Sequence, residues 1–232
     1  MQLSLNDNLF RSALASKLSY SQDCKKAKQL HGTQICNIID NRKTGAHTYI
    51  YPSGTNSKLI AFRGSHSIDQ IANYCNPGMS SFHIRGHKVK VHSHILHLFQ
   101  SIENDLTNII CTETTPQTYT FCGHSAGGAI AHFAAAYYGD IACRNQIICH
   151  TFGSPKMGNP AFIEWHNECV KESTDVIHKN DIVNYIPFGH CYAPFQNQIV
   201  LPCPKVNPLI AHDMETYLEN IEIALQTHRF SN

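Results

Sequence analysis

The sequence predicts an α/β fold, with a mostly parallel central sheet flanked by helices. Three observations carry that expectation. Short apolar runs of strand length at residues 58–62, 119–122 and 146–152 alternate with helical patterns. A glycine-rich turn, Gly123-His124-Ser125-Ala126-Gly127-Gly128, falls between a strand run and a helix run. No repeat, low-complexity tract or linker interrupts the 232 residues, so residues 1–232 read as one domain, long enough to bury a sizeable core.

Each element has its own signal. Leu9, Phe10, Ala13, Leu14 and Leu18 recur at helical spacing and give the first helix one apolar stripe. Residues 34–39 and 47–51 read as strands, and the polar link Asp40-Asn41-Arg42-Lys43-Thr44-Gly45 makes them an antiparallel hairpin at the sheet edge. Residues 58–62 are a buried-strand run that stops at Arg63-Gly64-Ser65. Ser67 with Gln70 forms a capping-box pattern, which predicts a short helix over 68–74 that ends near Pro77-Gly78. Residues 89–106 read as a strand end followed by one long amphipathic helix. Helices are expected over 126–138, 162–170 and 212–227, a short strand at 176–178, and an edge strand at 196–200 between proline-rich loops.

Composition excludes several function classes. Apolar residues make up 42% and charged residues 15%, which suits a packed core rather than disorder. The formal net charge of +1 gives no electrostatic footprint for nucleic acid, and Lys25, Lys26 and Lys28 read as a solvated face. There are 16 histidines, so none stands out by mere presence. The 10 cysteines are scattered with no Cys-x-x-Cys pair, which argues against a structural zinc site. Cys122 and Cys149 sit in apolar runs, where a free thiol behaves as a small hydrophobe. Residues 1–20 lack an apolar core behind a basic start, so no secretory signal is expected. The longest apolar stretch, 126–138, contains His132 and is too short to span a bilayer, so no transmembrane segment is expected. These features together predict a reducing, intracellular, cytoplasmic setting.

The strongest chemical signal is the turn around Ser125. Its Gly-x-Ser-x-Gly pattern between strand and helix is that of the nucleophile elbow of α/β-hydrolases. A tight turn lifts the hydroxyl above the sheet, and Gly123 and Gly127 are small because strand and helix approach closely there. The helix that follows aims its N-terminus at the site, and the Ala126 N–H is placed to donate to an oxyanion. A packing turn would explain the glycines but not the serine between them.

A serine hydroxyl needs a base, and the base needs an orienting carboxylate, in the chain order serine, acid, histidine. Asp181 stands out among the acids because it lies in the loop Lys179-Asn180-Asp181, just past the strand at 176–178. Glu164, Glu168 and Glu172 read as a solvated helix face, and Asp175 reads as preceding its strand. The base is to be found among His190, His212 and His228. His212 opens the final helix after a long loop, where a catalytic imidazole belongs, and His228 is near the C-terminus. His124 reads as a packing residue that points away from the nucleophile.

Five segments then carry a family resemblance. They are Ala61-Phe62-Arg63-Gly64-Ser65, Gly123 to Gly128, Thr151-Phe152-Gly153-Ser154-Pro155 with Gly158-Asn159, His178-Lys179-Asn180-Asp181-Ile182-Val183 with Pro187, and His212-Asp213-Met214-Glu215-Thr216-Tyr217. In this order and spacing the chain, from about residue 58 onward, resembles the class 3 lipases, a fungal-lipase-like family of α/β-hydrolases. It departs from the family at Val91-His92-Ser93-His94, which lacks the family's glycine. The resemblance implies the triad Ser125, Asp181 and His212. It adds Ser65 as the second oxyanion donor beside Ala126, and a lid just after that segment, with Ile68, Ile71 and Tyr74 on its apolar face.

The implied activity is hydrolysis of lipid esters, of acylglycerol type, with no metal or organic cofactor and with transient contact to a lipid interface. A soluble short-chain carboxylesterase or a phospholipase is the rival enzyme reading. A non-catalytic lipase-like binding module is the rival of another class, and it is disfavoured because every triad and oxyanion position is filled. A cysteine hydrolase is weaker, since Cys122 precedes the elbow rather than occupying it.

Overall fold

The computed structural model describes residues 2–21, 29–30, 33–34, 37–65, 75–205 and 207–227. In chain order the elements begin with α1 (Gln2–Leu18), β1 (Gln29–Leu30), β2 (Thr33–Gln34), β3 (Asn37–Asn41), β4 (Ala46–Pro52) and β5 (Ser57–Phe62). Next come β6 (Met79–Ile84), β7 (His87–His92), α2 (Ser93–Gln100), α3 (Glu103–Cys111), β8 (Thr118–His124) and α4 (Ala126–Ile141). The series ends with β9 (Gln146–Phe152), α5 (Pro160–Cys169), β10 (Glu172–His178), β11 (Gln198–Leu201), α6 (Pro208–Ala211) and α7 (Met214–Gln226).

The main sheet has seven strands in the order β11-β10-β9-β8-β5-β4-β3. Five neighbours, β11 to β5, run parallel, and β4 and β3 add antiparallel at the edge. Both faces are covered, which is why the central strands are apolar at successive positions rather than at every second one. On one face α1 and α7 close over Leu59, Ala61, Cys122, Phe152 and Val176. On the other, α2, α4 and α5 close over Ile60, Phe62, Phe121 and Cys149. Helix α4 is buried along nearly its whole length, and its alanines and glycines let it lie close to the sheet. Phe99, Phe133, Phe162 and Trp165 fill the space between it and its neighbours, and truncating one such ring to alanine costs about 3–5 kcal/mol.

The parallel register brings the carboxyl ends of the central strands level. Phe62 pairs with Gly123, His124 with Phe152, and Phe152 with Val176. The loops that follow β5, β8, β9 and β10 therefore emerge side by side, at the sheet end where open α/β folds bind ligands.

The edge hairpin and the first helix are as the sequence predicts. Three elements differ. The strand end expected at the start of 89–106 is the end of β7, but the one long helix expected after it is two helices: Ser101 ends the first, bonding its hydroxyl back to the Leu98 carbonyl, 2.7 Å away. Strand β6 escaped prediction: it is a partly exposed, polar strand that among the described residues pairs only with β7, joined to it by Arg85 and Gly86 at positive φ. Strand β10 begins at Glu172, so Asp175 lies inside the strand rather than before it. Around Ser93, where the family's glycine is missing, β7 passes into α2 and the Ser93 N–H donates to the Gly78 carbonyl.

Candidate active site

The site is assembled at the carboxyl ends of β5, β8, β9 and β10. Ser125 caps α4 with φ 58° and ψ −132°, a conformation that costs a non-glycine residue about 1–3 kcal/mol and is held by its surroundings. The Ser125 N–H donates to the Phe152 carbonyl of β9, and the Ser125 carbonyl accepts from Gly128 and Ala129. The two elbow glycines are required sterically. A Cβ on Gly123 would stand 2.3 Å from the Gly127 backbone, and one on Gly127 would stand 2.2 Å from the Phe62 carbonyl oxygen.

Ser125, His212 and Asp181 are brought together. The Ser125 Oγ lies 2.9 Å from His212 Nε2, and His212 Nδ1 lies 2.8 Å from Asp181 Oδ2. A carboxylate only accepts, so the proton sits on Nδ1 and leaves Nε2 as an acceptor for the serine hydroxyl. Asp181 is fully buried, while Ser125 and His212 keep 3% and 7% of their surface, so the acid is sequestered behind the other two groups.

Three donors converge on that carboxylate: the Val183 N–H on Oδ1 at 2.8 Å, and the Tyr217 hydroxyl and His212 Nδ1–H on Oδ2, each at 2.8 Å. Tyr217 in turn accepts from the His178 N–H at 3.0 Å. Burial, and then the Asp181 charge, push the Tyr217 hydroxyl far above its ordinary pKa, so it stays a donor. Gly153 has φ 56° and leaves room for Asp181, since a Cβ there would stand 2.8 Å from Oδ2.

The base is anchored from behind. The His178 ring stacks on Tyr217 at 3.8 Å and donates from Nδ1 to the Ala211 carbonyl at 2.7 Å, while its Nε2 accepts from Asn220. His124 donates from Nε2 to the His212 carbonyl at 2.7 Å, and its Nδ1 accepts from the Tyr20 hydroxyl at 2.8 Å. Its ring lies 4.6 Å from the His212 ring. Burial, and then nearby His212, hold the His124 pKa well below its ordinary value, which keeps the imidazole neutral.

Several expectations are corrected here. His212 does not open the last helix; it caps α6, and Asp213 is the N-cap of α7. The reason is that α6 is a separate turn with its own cap, Asn207, followed by Pro208. His124 is buried as predicted, but against the base rather than away from the site. Tyr20, His178 and Tyr217 were not singled out by role; Tyr217 lies five residues past His212, and that spacing was the available signal.

Of the expected oxyanion donors, Ala126 follows Ser125 directly and Ser65 ends the segment that passes over the elbow at Gly64. Ala126 is the first residue of α4, where a backbone N–H has no acceptor within the helix. The Arg63-Gly64-Ser65 segment crosses directly over the elbow: a Cβ on Gly64 would stand 2.5 Å from the His124 carbonyl oxygen and 3.2 Å from Ser125 Cβ. The lid residues Ile68, Ile71 and Tyr74, and the discarded candidate His228, lie outside the described residues. His190 is exposed.

A strained serine between strand and helix, on a mostly parallel sheet with the acid loop two strands over, defines the α/β-hydrolase fold. Residues 59–190 match the family model described as lipase (class 3), and the chain belongs to that family. It is 27% identical over 170 residues to a lipase of Rhizomucor miehei, an alignment covering 68% of this chain and 46% of that one. It is 26% identical over 163 residues to the secreted mono- and diacylglycerol lipase 1 of Fusarium solani, covering 67% and 48%. The chain thus spans about half the length of the curated relatives it matches. Among solved structures, a triacylglycerol lipase from Penicillium expansum superposes with a TM-score of 0.73 at 15% identity, over 86% of this chain and 80% of that one. At that identity the agreement speaks for the fold alone. His212 lies beyond the stretch matched by the family model.

Proposed function

We propose that this chain is a serine hydrolase that cleaves the carboxylic ester bonds of acylglycerols through an acyl-enzyme. The observation that carries the reading is the directed chain Ser125–His212–Asp181 on a strained elbow, an arrangement that a packing turn has no use for. Membership of the class 3 lipases supports it, as do the names of the Rhizomucor and Fusarium relatives.

The Ser125 Oγ attacks the ester carbonyl carbon while His212 Nε2 takes its proton. The Asp181 carboxylate holds the Nδ1–H tautomer and offsets the imidazolium charge. The N–H groups of Ala126 and Ser65, with the Ser65 hydroxyl, stabilise the oxyanion, each donor worth about 3 kcal/mol of barrier. His212 then protonates the leaving alkoxide, and a water molecule reverses the sequence to release the acid.

No helix among the described residues is long and apolar enough to cross a membrane. Contact with a lipid surface is the finer part of the proposal. Ile182, Tyr185 and Phe188, just past Asp181, and Leu209 and Ile210, just before His212, are large apolar side chains left exposed. Exposed apolar groups of this kind mark lipid or partner contacts. A reducing, intracellular setting completes the reading; the eight cysteines among the described residues are all free, which supports it, and thiol titration of freshly isolated protein tests it.

The test of the activity is hydrolysis of a chain-length series of p-nitrophenyl esters, with and without a lipid interface, by wild type and Ser125→Ala. The expected result is turnover of long acyl chains that falls by about 10⁴-fold or more in the variant. Activity confined to short chains would replace the lipase reading with a soluble carboxylesterase. Activity in neither protein would replace it with a binding module.

A further inference from the structure

A second histidine cluster lies on the α4 face of the sheet, outside the triad. His132 of α4, Cys149 of β9 and His166 of α5 are all fully buried. One ligand atom from each lies within 4.8 Å of the others. His132 Nδ1 stands 3.2 Å from His166 Nε2 and 3.6 Å from Cys149 Sγ.

The direction of the surrounding hydrogen bonds turns a lone pair of His132 into the cluster, where without an ion it accepts from the His166 Nε2–H. On binding an ion, that proton would pass to the His166 Nδ1, which has no other partner. The Thr151 hydroxyl donates its one proton to Asp175 Oδ1 at 2.7 Å. Toward His132 Nε2, 3.0 Å away, the same oxygen can only accept, so Nε2 carries the ring proton. His132 Nδ1 therefore presents a lone pair into the cluster, toward a second imidazole and a thiol. A ring N–H tied through a hydroxyl to a carboxylate is the outer arrangement that orients metal-ligating histidines.

We propose that His132, Cys149 and His166 form a binding site for a thiophilic divalent metal ion, zinc by chemistry of the donor set. Two imidazoles and a thiolate are borderline-to-soft ligands of the kind zinc selects. The spacing fits. Zinc bonds of about 2.0–2.1 Å to nitrogen and about 2.3 Å to sulfur give tetrahedral edges of about 3.3 Å between nitrogens and about 3.6 Å between nitrogen and sulfur. The observed 3.2 Å and 3.6 Å lie on those edges.

Charge balance supports the same reading. Asp175 is a carboxylate buried to 2% exposure whose partners are two neutral side chains, Thr151 and Gln198. A divalent ion, the Cys149 thiolate and the Asp175 carboxylate together sum to zero. The wall is apolar: the Phe195 ring stacks on His132 at 3.4 Å and stands edge-on to His166. An ion there would fasten α4, which begins at the nucleophile, to β9 and α5. No local pattern marks this site, because its ligands come from three separate elements and form no Cys-x-x-Cys spacing.

The experiment uses the full chain, purified without a polyhistidine tag, and reads metal directly. Elemental analysis after growth with added zinc is expected to give one zinc per chain in wild type and in the exposed-thiol control Cys143→Ala, and none in Cys149→Ala. Cobalt titration of chelator-treated wild type is expected to produce a thiolate-to-cobalt charge-transfer band at one equivalent, retained in Cys143→Ala and lost in Cys149→Ala. His166→Gln should weaken cobalt affinity at least tenfold. If either core variant fails to fold, the wild type decides alone. No band at stoichiometric cobalt and no rise in melting temperature on adding zinc would overturn the proposal. Equal metal content in wild type and Cys149→Ala would overturn it as well.

Discussion

The two buried histidine networks differ in how their protons are assigned. Around His212 every ring nitrogen meets one complementary partner: Nδ1 faces a carboxylate, Nε2 faces a hydroxyl, and the flanking His124 and His178 each pair one donor with one acceptor. Around His132 the assignment stops at one nitrogen. Its Nδ1 lone pair faces two groups at once, His166 and Cys149. A chain with a single direction moves a proton; a lone pair set between a second imidazole and a thiol is the setting proposed above for a cation. The carboxylates differ correspondingly. Asp181 accepts three donors, one of them the base, whereas Asp175 has only a hydroxyl and an amide.

The largest effect that would break the first network is Asp181→Asn. Oδ1 would stay on the Val183 N–H, which turns the amide NH₂ toward His212 Nδ1 and the Tyr217 hydroxyl, where two acceptors are needed. The ring would then carry its proton on Nε2 and could not take one from Ser125. Ester hydrolysis is expected to fall in kcat by about 10⁴-fold with KM little changed. A loss of tenfold or less, measured on the same ester series, would show that the direction assigned to this chain is wrong.

Tyr217→Phe is a milder cut. It removes one of three donors to Asp181 and leaves the buried His178 N–H without its acceptor. Leaving a buried donor unmatched costs about 1–3 kcal/mol, so the melting temperature should drop by several degrees in a chain of this size. With Val183 and His212 still on the carboxylate, kcat should fall only about tenfold. If activity fell as far as in Asp181→Asn, the tyrosine would be essential to orienting the acid rather than one donor of three.

What the sequence disclosed follows from how local each cause is. Ser125 and its glycines were legible because the steric demand of the elbow is written in five consecutive residues. Asp181 was legible because a strand end and a loop acid adjoin in sequence. His212 was found by chain order, yet its setting was misread, since Asn207 and Asp213 cap two helices where one was expected. His124, His178 and Tyr217 take their roles from partners 33 to 104 residues away, which no local pattern reports. Strand β6 was invisible because a polar, partly exposed strand in a two-stranded ribbon carries little apolar signal. The cluster at His132 combines both difficulties: its ligands are distant in sequence, and a thiol in an apolar run looks like packing.

The smallest expected effect sharpens the second network. Burial raises the Asp175 pKa to about 6 from an ordinary 3.8, against the lowering by Thr151 and Gln198, and the nearby Asp181 adds to the rise. The other titratable groups near it are His132, joined through Thr151, and Cys149, whose own pKa burial raises further. The sign is fixed by which state releases its proton first. Below about pH 4 the carboxyl is protonated whether folded or unfolded and has no differential effect. As pH rises to about 6 the unfolded chain ionises while the fold holds the proton, so stability falls, and above pH 6 the loss levels off at about 3 kcal/mol. Asp175→Asn is nearly isosteric and removes that loss: Oδ1 keeps the Thr151 hydroxyl, and the partly exposed Gln198 amide turns its oxygen toward the new NH₂. In chelator-treated protein it should raise the melting temperature at pH 8 by roughly 5–10 °C and leave it nearly unchanged at pH 4. In zinc-loaded protein the gain at pH 8 should vanish, because the cation would then be offsetting the carboxylate. A gain that is the same with and without zinc would mean that Asp175 senses no metal, and would separate the carboxylate from the cluster around His132.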